Sequence, residues 1–168
     1  MEQIDKKNNP GELDLTDLKL LEALQTDASL SNQALAERVH ISPPTCLRRV
    51  KRLRDAGLIE RQIALLNPDK LSALLGHGLT AIIEITLDRQ GAGQLEAFEQ
   101  RVALEGTVQQ CYRVSPGPDF MLLVHVLDMP QYLAMTQRLF TDDTNVRNVK
   151  AFFSTRRSKF EPKVLLRQ

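Results

Sequence analysis

Between Ser42 and Arg61 six lysines and arginines stand against two acids, Asp55 and Glu60. Five of the six fall within TCLRRVKRLRD, where Cys46, Val50 and Leu53 recur at i, i+4 and i+7. That interval is one stripe of an α-helix. If the stripe faces inward, Thr45, Arg48, Arg49, Lys51 and Arg52 face out. Guanidinium forks match the N7 and O6 acceptors of guanine, and ammonium groups match phosphate. The start of this helix, with Ser42, Pro43, Pro44 and Thr45, is small enough to let backbone approach base edges. The chemistry on offer is recognition of duplex DNA, with Arg48, Arg49 and Arg52 as base or phosphate contacts, Thr45 for a base edge, and Lys51 and Arg54 for phosphates. A basic helical face that is only solvated has the same spacing.

The elements that must hold this helix are legible on either side. Ser42 is placed to cap it, with prolines in the first turn, where a missing N–H costs nothing, and Gly57 to end it. Ser31 caps a preceding helix with Leu35, Ala36 and Val39 on one face, and His40 and Ile41 form the corner. A first helix follows Asp14, with Leu13, Leu20, Leu21 and Leu24 on its stripe. Residues 1–60 thus read as a three-helix helix-turn-helix domain, residues 1–11 being a loose arm. Residues 58–66 read as a wing or short strand, residues 61–76 as a connector, and Leu71–Leu75 as a single helical turn.

Residues 77–168 follow another pattern. Leu79–Leu87 alternates apolar and polar residues with the period of a strand. Gln94–Glu105 is helical, Val108–Val114 a strand, and Ser115-Pro116-Gly117-Pro118-Asp119 a turn. Phe120–Leu127 is apolar on both sides except at His125, which places it centrally in a sheet. Asp128 caps a helix whose Tyr132, Leu133, Thr136, Leu139 and Phe140 face inward, and Val146–Thr155 closes the sheet. The order βαββαβ is the ferredoxin-like arrangement, an α+β fold with both helices on one face. The other face needs cover, and a second copy of the chain is the simplest cover, giving a homodimer.

Charge supports the division. The formal net charge is only +1, but residues 75–146 carry four basic and nine acidic groups, and residues 147–168 seven and one. An acidic middle does not lie on DNA. Without a signal peptide or an apolar run near membrane-spanning length, the expected location is the cytoplasm, with Cys46 and Cys111 buried and reduced. The three histidines show no metal-ligand spacing. No Gly-rich phosphate loop opens a helix, and no Ser-His-Asp set or carboxylate pair marks a cleft, so no enzyme is expected.

LDLTDLKLLEALQTDASLSNQALAERVHISPPTCLRRVKRLRDAGLI, the IALLNP connector and the βαββαβ segment together resemble the Lrp/AsnC (feast/famine) transcriptional regulators, over nearly the whole chain. The resemblance implies DNA binding by the first domain, dimerisation by the second, assembly of dimers into octamers, and response to an amino acid bound between neighbouring dimers. The residues themselves leave the turn 115–119 open between a rigid hairpin and a ligand loop. In the second case its amides would hold an α-carboxylate and Asp119 an α-amino group. The family's corresponding loop reads Ser/Thr-Gly-x-x-Asp. This chain keeps Ser115 and Asp119 but has Pro116 at the glycine, with Gly117 next and then Pro118. By the same resemblance Tyr112, Met129, Phe152, Phe153 and Ser154 face the ligand side chain. Leucine, methionine or another apolar amino acid is the expected effector, and plain core packing is the alternative for the phenyl pair. Two further functional readings stand beside the regulator: an architectural DNA-organising protein, and an amino-acid-sensing subunit of an enzyme.

Overall fold

The structure is a computed structural model that describes residues 13–76 and 78–166, so the arm 1–11 lies outside the described residues. The described residues divide into two compact units, residues 13–65 with 160–166, and residues 66–76 with 78–159. Residues 160–166 thus group with the helical unit, although the sequence pattern assigns 77–168 to the second domain.

The helical unit contains α1 (Leu15–Thr26), α2 (Asn32–Arg38) and α3 (Pro43–Asp55). Asp14 and Asp17 form a reciprocal capping box at the start of α1, each carboxylate accepting from the other's backbone N–H. Ser31 Oγ accepts from Ala34 N–H at the start of α2. The corner between α2 and α3 passes through His40 at φ 57°, a left-handed conformation that histidine adopts more readily than branched residues do. At the end of α3, Gly57 at φ 72° turns the chain; Leu58 N–H donates to Leu53 C=O and Gly57 N–H to Arg54 C=O, the paired bonds of a Schellman stop. Leu20, Ala23, Leu35, Ala36, Val39, Cys46 and Leu53 make the core of this unit. Leu13 lies before the cap of α1 and is exposed, outside the stripe in which the sequence reading placed it.

After α3, where the pattern suggests a wing or connecting strand, residues 60–67 carry neither helix nor strand. Asn67 then caps α4 (Pro68–Leu75), longer than the single turn expected at 71–75.

The second unit holds β1 (Leu79–Leu87), α5 (Ala92–Ala103), β2 (Val108–Arg113), β3 (Phe120–Val126), α6 (Met129–Thr136), a π-helical turn (Gln137–Thr141) and β4 (Val146–Phe153). The sheet order is β2-β3-β1-β4, all neighbours antiparallel, so β3 is central as its two apolar faces require. Ala81, Ile83, Ile85 and Leu87 of β1 and Phe120, Leu122, Val124 and Val126 of β3 point to one face. There they pack with Phe98 and Val102 of α5, Tyr132 and Met135 of α6, and Leu139 and Phe140 of the π turn. Leu133, expected inward, is exposed, and Met135 takes the buried position instead. Cys111, expected buried, lies exposed on the edge strand β2, whereas Cys46 is fully buried and burial pushes its thiol pKa up.

Candidate DNA interface and effector site

On α3 the solvent side is narrower than the sequence pattern implied. Pro44, Leu47, Arg48 and Lys51 are exposed and fall at i, i+3, i+4 and i+7, one stripe. Arg48 and Lys51 carry no ion pair among the described residues. Ser42 Oγ donates to the half-buried Thr45 Oγ1 at 2.9 Å, so Ser42 caps through backbone rather than side chain. Asn32 of α2 donates to Pro43 C=O at 2.9 Å and fixes the entry of α3.

Arg49 and Arg52 turn the other way. Asp17 is fully buried, and its carboxylate accepts from Arg49 Nη1 at 2.9 Å and from Arg52 Nη2. Arg49 Nη1 also meets Asp14 Oδ2 at 2.7 Å, and the side chains of Arg49 and Arg52 are only 18% and 27% exposed. Burial works against ionisation of Asp14, but the bonds from Asp17 N–H and Arg49 outweigh it and hold the carboxyl below its ordinary value. Two arginines expected on DNA instead rivet α3 to α1. Long side chains make this possible: helical phase puts Cα of both residues near the boundary of the buried stripe, and four-atom stems carry the guanidiniums across.

Leu47, 62% exposed between Pro44 and Arg48, is a candidate contact that the sequence reading passed over. An apolar residue among cations on the outward stripe was its signal. In a major groove a leucine methyl fits the C5-methyl of thymine.

In the sheet unit the turn 115–119 is held hard. The Ser115–Pro116 bond is cis, and Gly117 sits at φ 126°. Asp119 N–H donates to Ile85 C=O at 2.8 Å, and Asp119 C=O accepts from Val114 N–H at 3.0 Å. Its carboxylate Oδ2 accepts from Leu87 N–H at 2.7 Å and from Gln90 Nε2 at 3.2 Å. Asp119 therefore stitches the turn to the far end of β1, with Oδ1 outside these bonds.

The remaining candidates lie elsewhere. Phe153 pairs with Ala81 and Phe152 with Ile82, near the start of β1. Ser154 N–H donates to Thr80 C=O at 2.8 Å. From Ala81 to Ile85 and Leu87 is four to six strand residues, about 13–20 Å. Phe152 and Phe153 also point to opposite faces, as consecutive strand residues must. Phe153 joins Tyr132 of α6 edge-on at 5.0 Å, one helical turn from the exposed Met129. Phe152 stands on the open face under Lys150, whose Nζ lies 5.0 Å from the ring centroid. Tyr112, paired with Met121 and bonded to Gln110, is 56% exposed on the edge strand. Within one chain the effector candidates thus form two groups, the turn 115–119 at one end of β1 and Met129, Phe153 and Ser154 at the other.

The open face itself is apolar along a row. Ile82 pairs with Leu123 on one side and Phe152 on the other, and Ile82 and Phe152 are 42% and 45% exposed. His125 Nδ1 shares a 3.0 Å hydrogen bond with Thr80 Oγ1 on the same face.

Residues 13–60 match the winged helix-turn-helix DNA-binding family, and residues 80–164 match the Lrp/AsnC ligand binding domain. The chain belongs to the Lrp/AsnC family. It is 40% identical over 130 residues to the leucine-responsive regulatory protein of Escherichia coli K12, covering 77% of each chain. It is 34% identical to an HTH-type transcriptional regulator of Haemophilus influenzae, covering 92% of this chain and 89% of that one. Among solved structures, a transcriptional regulator from Neisseria meningitidis in complex with L-Met superposes with a TM-score of 0.78 at 30% identity, over 92% of this chain and 97% of that one. This Lrp/AsnC chain is a transcriptional regulator with a DNA-binding domain and a ligand-binding domain, and not an enzyme. No helix among the described residues is long and apolar enough to cross a membrane.

Proposed function

We propose that the chain is a sequence-specific, cytoplasmic regulator that binds duplex DNA as a dimer or a tetramer of dimers and responds to an apolar amino acid. The observation that carries the DNA reading is the outward stripe of α3. Pro44, Leu47, Arg48 and Lys51 meet the groove, with Ser42 and Thr45 at the helix start, while Arg49 and Arg52 hold the helix in place. Discrimination comes from Arg48 on guanine and Leu47 on thymine, and Lys51 serves phosphate. A stripe with so few unpaired cations is poorly suited to wholesale compaction of DNA, where phosphate neutralisation supplies the affinity. That weighs against the architectural reading.

The row Ile82, Leu123, Phe152 supports a dimer in which a second copy covers the open sheet face. For the effector, the two separated groups support a site completed between chains. In the turn Ser115, Gly117, Pro118 and Asp119 of one chain, the Ser115 and Gly117 N–H groups and Asp119 Oδ1 receive the amino-acid head group, and Pro118 shapes the loop. Met129, Phe153 and Ser154 of a neighbour supply the wall for its side chain. Phe152 and Tyr112 take part in the dimer face instead. The L-Met held by the Neisseria regulator makes methionine a first ligand to try beside leucine.

The test is a thermal-unfolding scan of the full chain against the twenty amino acids, followed by DNA titrations with any that stabilise it. A ligand at about 100 times its Kd adds about 2.7 kcal/mol, a clear rise in Tm. A rise with leucine, methionine or another apolar amino acid supports the reading. No rise with any of them removes the effector.

A further inference from the structure

The last described residues do not stay with the sheet that precedes them. Residues 160–166 belong with the helical residues. The contact is specific: the side-chain amide of Gln25, near the end of α1, makes both strand-type bonds to the backbone of Val164. Gln25 Nε2 donates to Val164 C=O at 2.9 Å, and Gln25 Oε1 accepts from Val164 N–H at 3.0 Å. The second Nε2 hydrogen is held by Glu22 Oε2 at 2.9 Å, which keys the amide plane. The Val164 and Leu165 side chains, 67% and 95% exposed, add little to it. Two hydrogen bonds from one amide, whose plane a third bond fixes, make the contact directional, and both are lost together when Gln25 is removed.

The position of this contact gives it a use. The helical unit runs into the sheet unit through residues 60–67, which have no regular structure and expose Ile63, Leu65 and Leu66. A domain carried on such a connector alone samples many placements, and a second attachment removes many of them. Ser154, anchored on Thr80, ends the sheet with only five residues between it and Phe160.

We propose that residues 160–166 are a strap, latched on α1 by Gln25, that narrows the placements open to the DNA-binding unit and so sets which spacing of operator half-sites the paired units accept. This rests on the reading of the chain as a dimer that binds two half-sites. Placing two tethered heads on DNA is governed by effective concentration, which is high at the matching span and falls away from it. A tight restraint sharpens that fall, and its loss flattens it.

The experiment uses the full chain, Gln25→Ala, and a chain ending at 159. Hydrogen exchange reads the latch: the Val164 amide is protected in the wild-type chain and exchanges freely in Gln25→Ala, while amides within α1 keep their protection. Binding is then measured on duplexes whose half-sites are at the preferred spacing or offset by about half a helical turn, roughly five base pairs. The wild-type chain loses affinity on the offset duplex, and both variants recover at least about tenfold of that loss while binding a single half-site unchanged. An unprotected Val164 amide in the wild-type chain overturns the latch. Variants that keep the full spacing penalty overturn its role as a strap. If the wild-type chain is itself indifferent to spacing, the paired-site reading fails, and Val164 exchange tells that failure apart from failure of the latch.

Discussion

Replacing Asp17 with alanine isolates what holds the recognition helix. The substitution removes the acceptor for Arg49 Nη1 and Arg52 Nη2, and half of the capping box of α1. Removing one partner of a buried ion pair costs about 3–5 kcal/mol, because the other charge is left desolvated. The two arginine side chains are 18% and 27% exposed, and Arg49 keeps Asp14 at 2.7 Å, so the lower end applies. The expected loss is about 3 kcal/mol, a large share of the ordinary stability of a domain. The assay is amide exchange of core residues in the helical unit, such as Leu20 and Leu53, which report its global opening. They should exchange about 150-fold faster, with the sheet unit unchanged. Asp17→Asn, which keeps one oxygen acceptor, should lose less. An acceleration under about fivefold in Asp17→Ala, near 1 kcal/mol, would refute the claim that this cluster is a structural rivet.

Other perturbations have distinct signatures. Arg48→Ala should leave stability within about 0.5 kcal/mol but cost about 1–3 kcal/mol of specific DNA affinity in titration. Leu47→Ala should cost about 1 kcal/mol, and only on duplexes with A·T at the contacted step; equal loss on all duplexes would remove it from base readout. Asp119→Asn keeps an acceptor for Leu87 N–H and removes the charge, so it should abolish the amino-acid Tm shift with little change in the unliganded Tm. Asp119→Ala also breaks the stitch to β1 and lowers both, so an amino-acid shift that survives Asp119→Asn rules out charge pairing at the turn. Acid should weaken the fold. Asp14 lies below its ordinary 3.8, and Glu105, where bonds from Arg138 and Thr107 outweigh burial, below its ordinary 4.5. Groups whose folded pKa is depressed contribute fully above those ordinary values and lose the contribution as pH falls through the folded ones. A melting series from pH 7 to 3 should thus stay flat above about 5 and fall below about 4.5; a Tm that rises on acidification contradicts the sign.

Where one segment dictates its own structure, the sequence is a good guide. Asp14, Ser31 and Gly57 mark helix ends by local chemistry, and βαββαβ follows from periods of two and 3.6. What it does not show is the reach of a side chain into another element. Asp17 reads as an ordinary acid in a first helical turn, and only the folded chain reveals that it meets Arg49 and Arg52 from more than thirty positions away. Leu58–Leu66 has strand-like composition, but a strand needs a pairing neighbour as well as composition, and residues 60–67 carry none of the sheet's hydrogen bonding here. The effector candidates share a family resemblance and not a place in one chain. Resemblance carries residue identity but not the geometry within one chain, where Asp119 and Phe153 belong to opposite ends of β1. The parity of Phe152 and Phe153 was open to view, since neighbours on a strand cannot share a face. The return of residues 160–166 to α1 includes a paired bond from the Gln25 amide to the Val164 backbone, and such a bond has no signature in hydrophobic pattern.

The most direct test of the account is footprinting of the wild-type chain on genomic fragments at physiological salt, with Arg48→Ala alongside. Discrete protected sites are expected, each with two halves about one helical turn apart, and their loss in the Arg48→Ala protein. Continuous protection without preferred sites, or sites unaffected by Arg48→Ala, would contradict it.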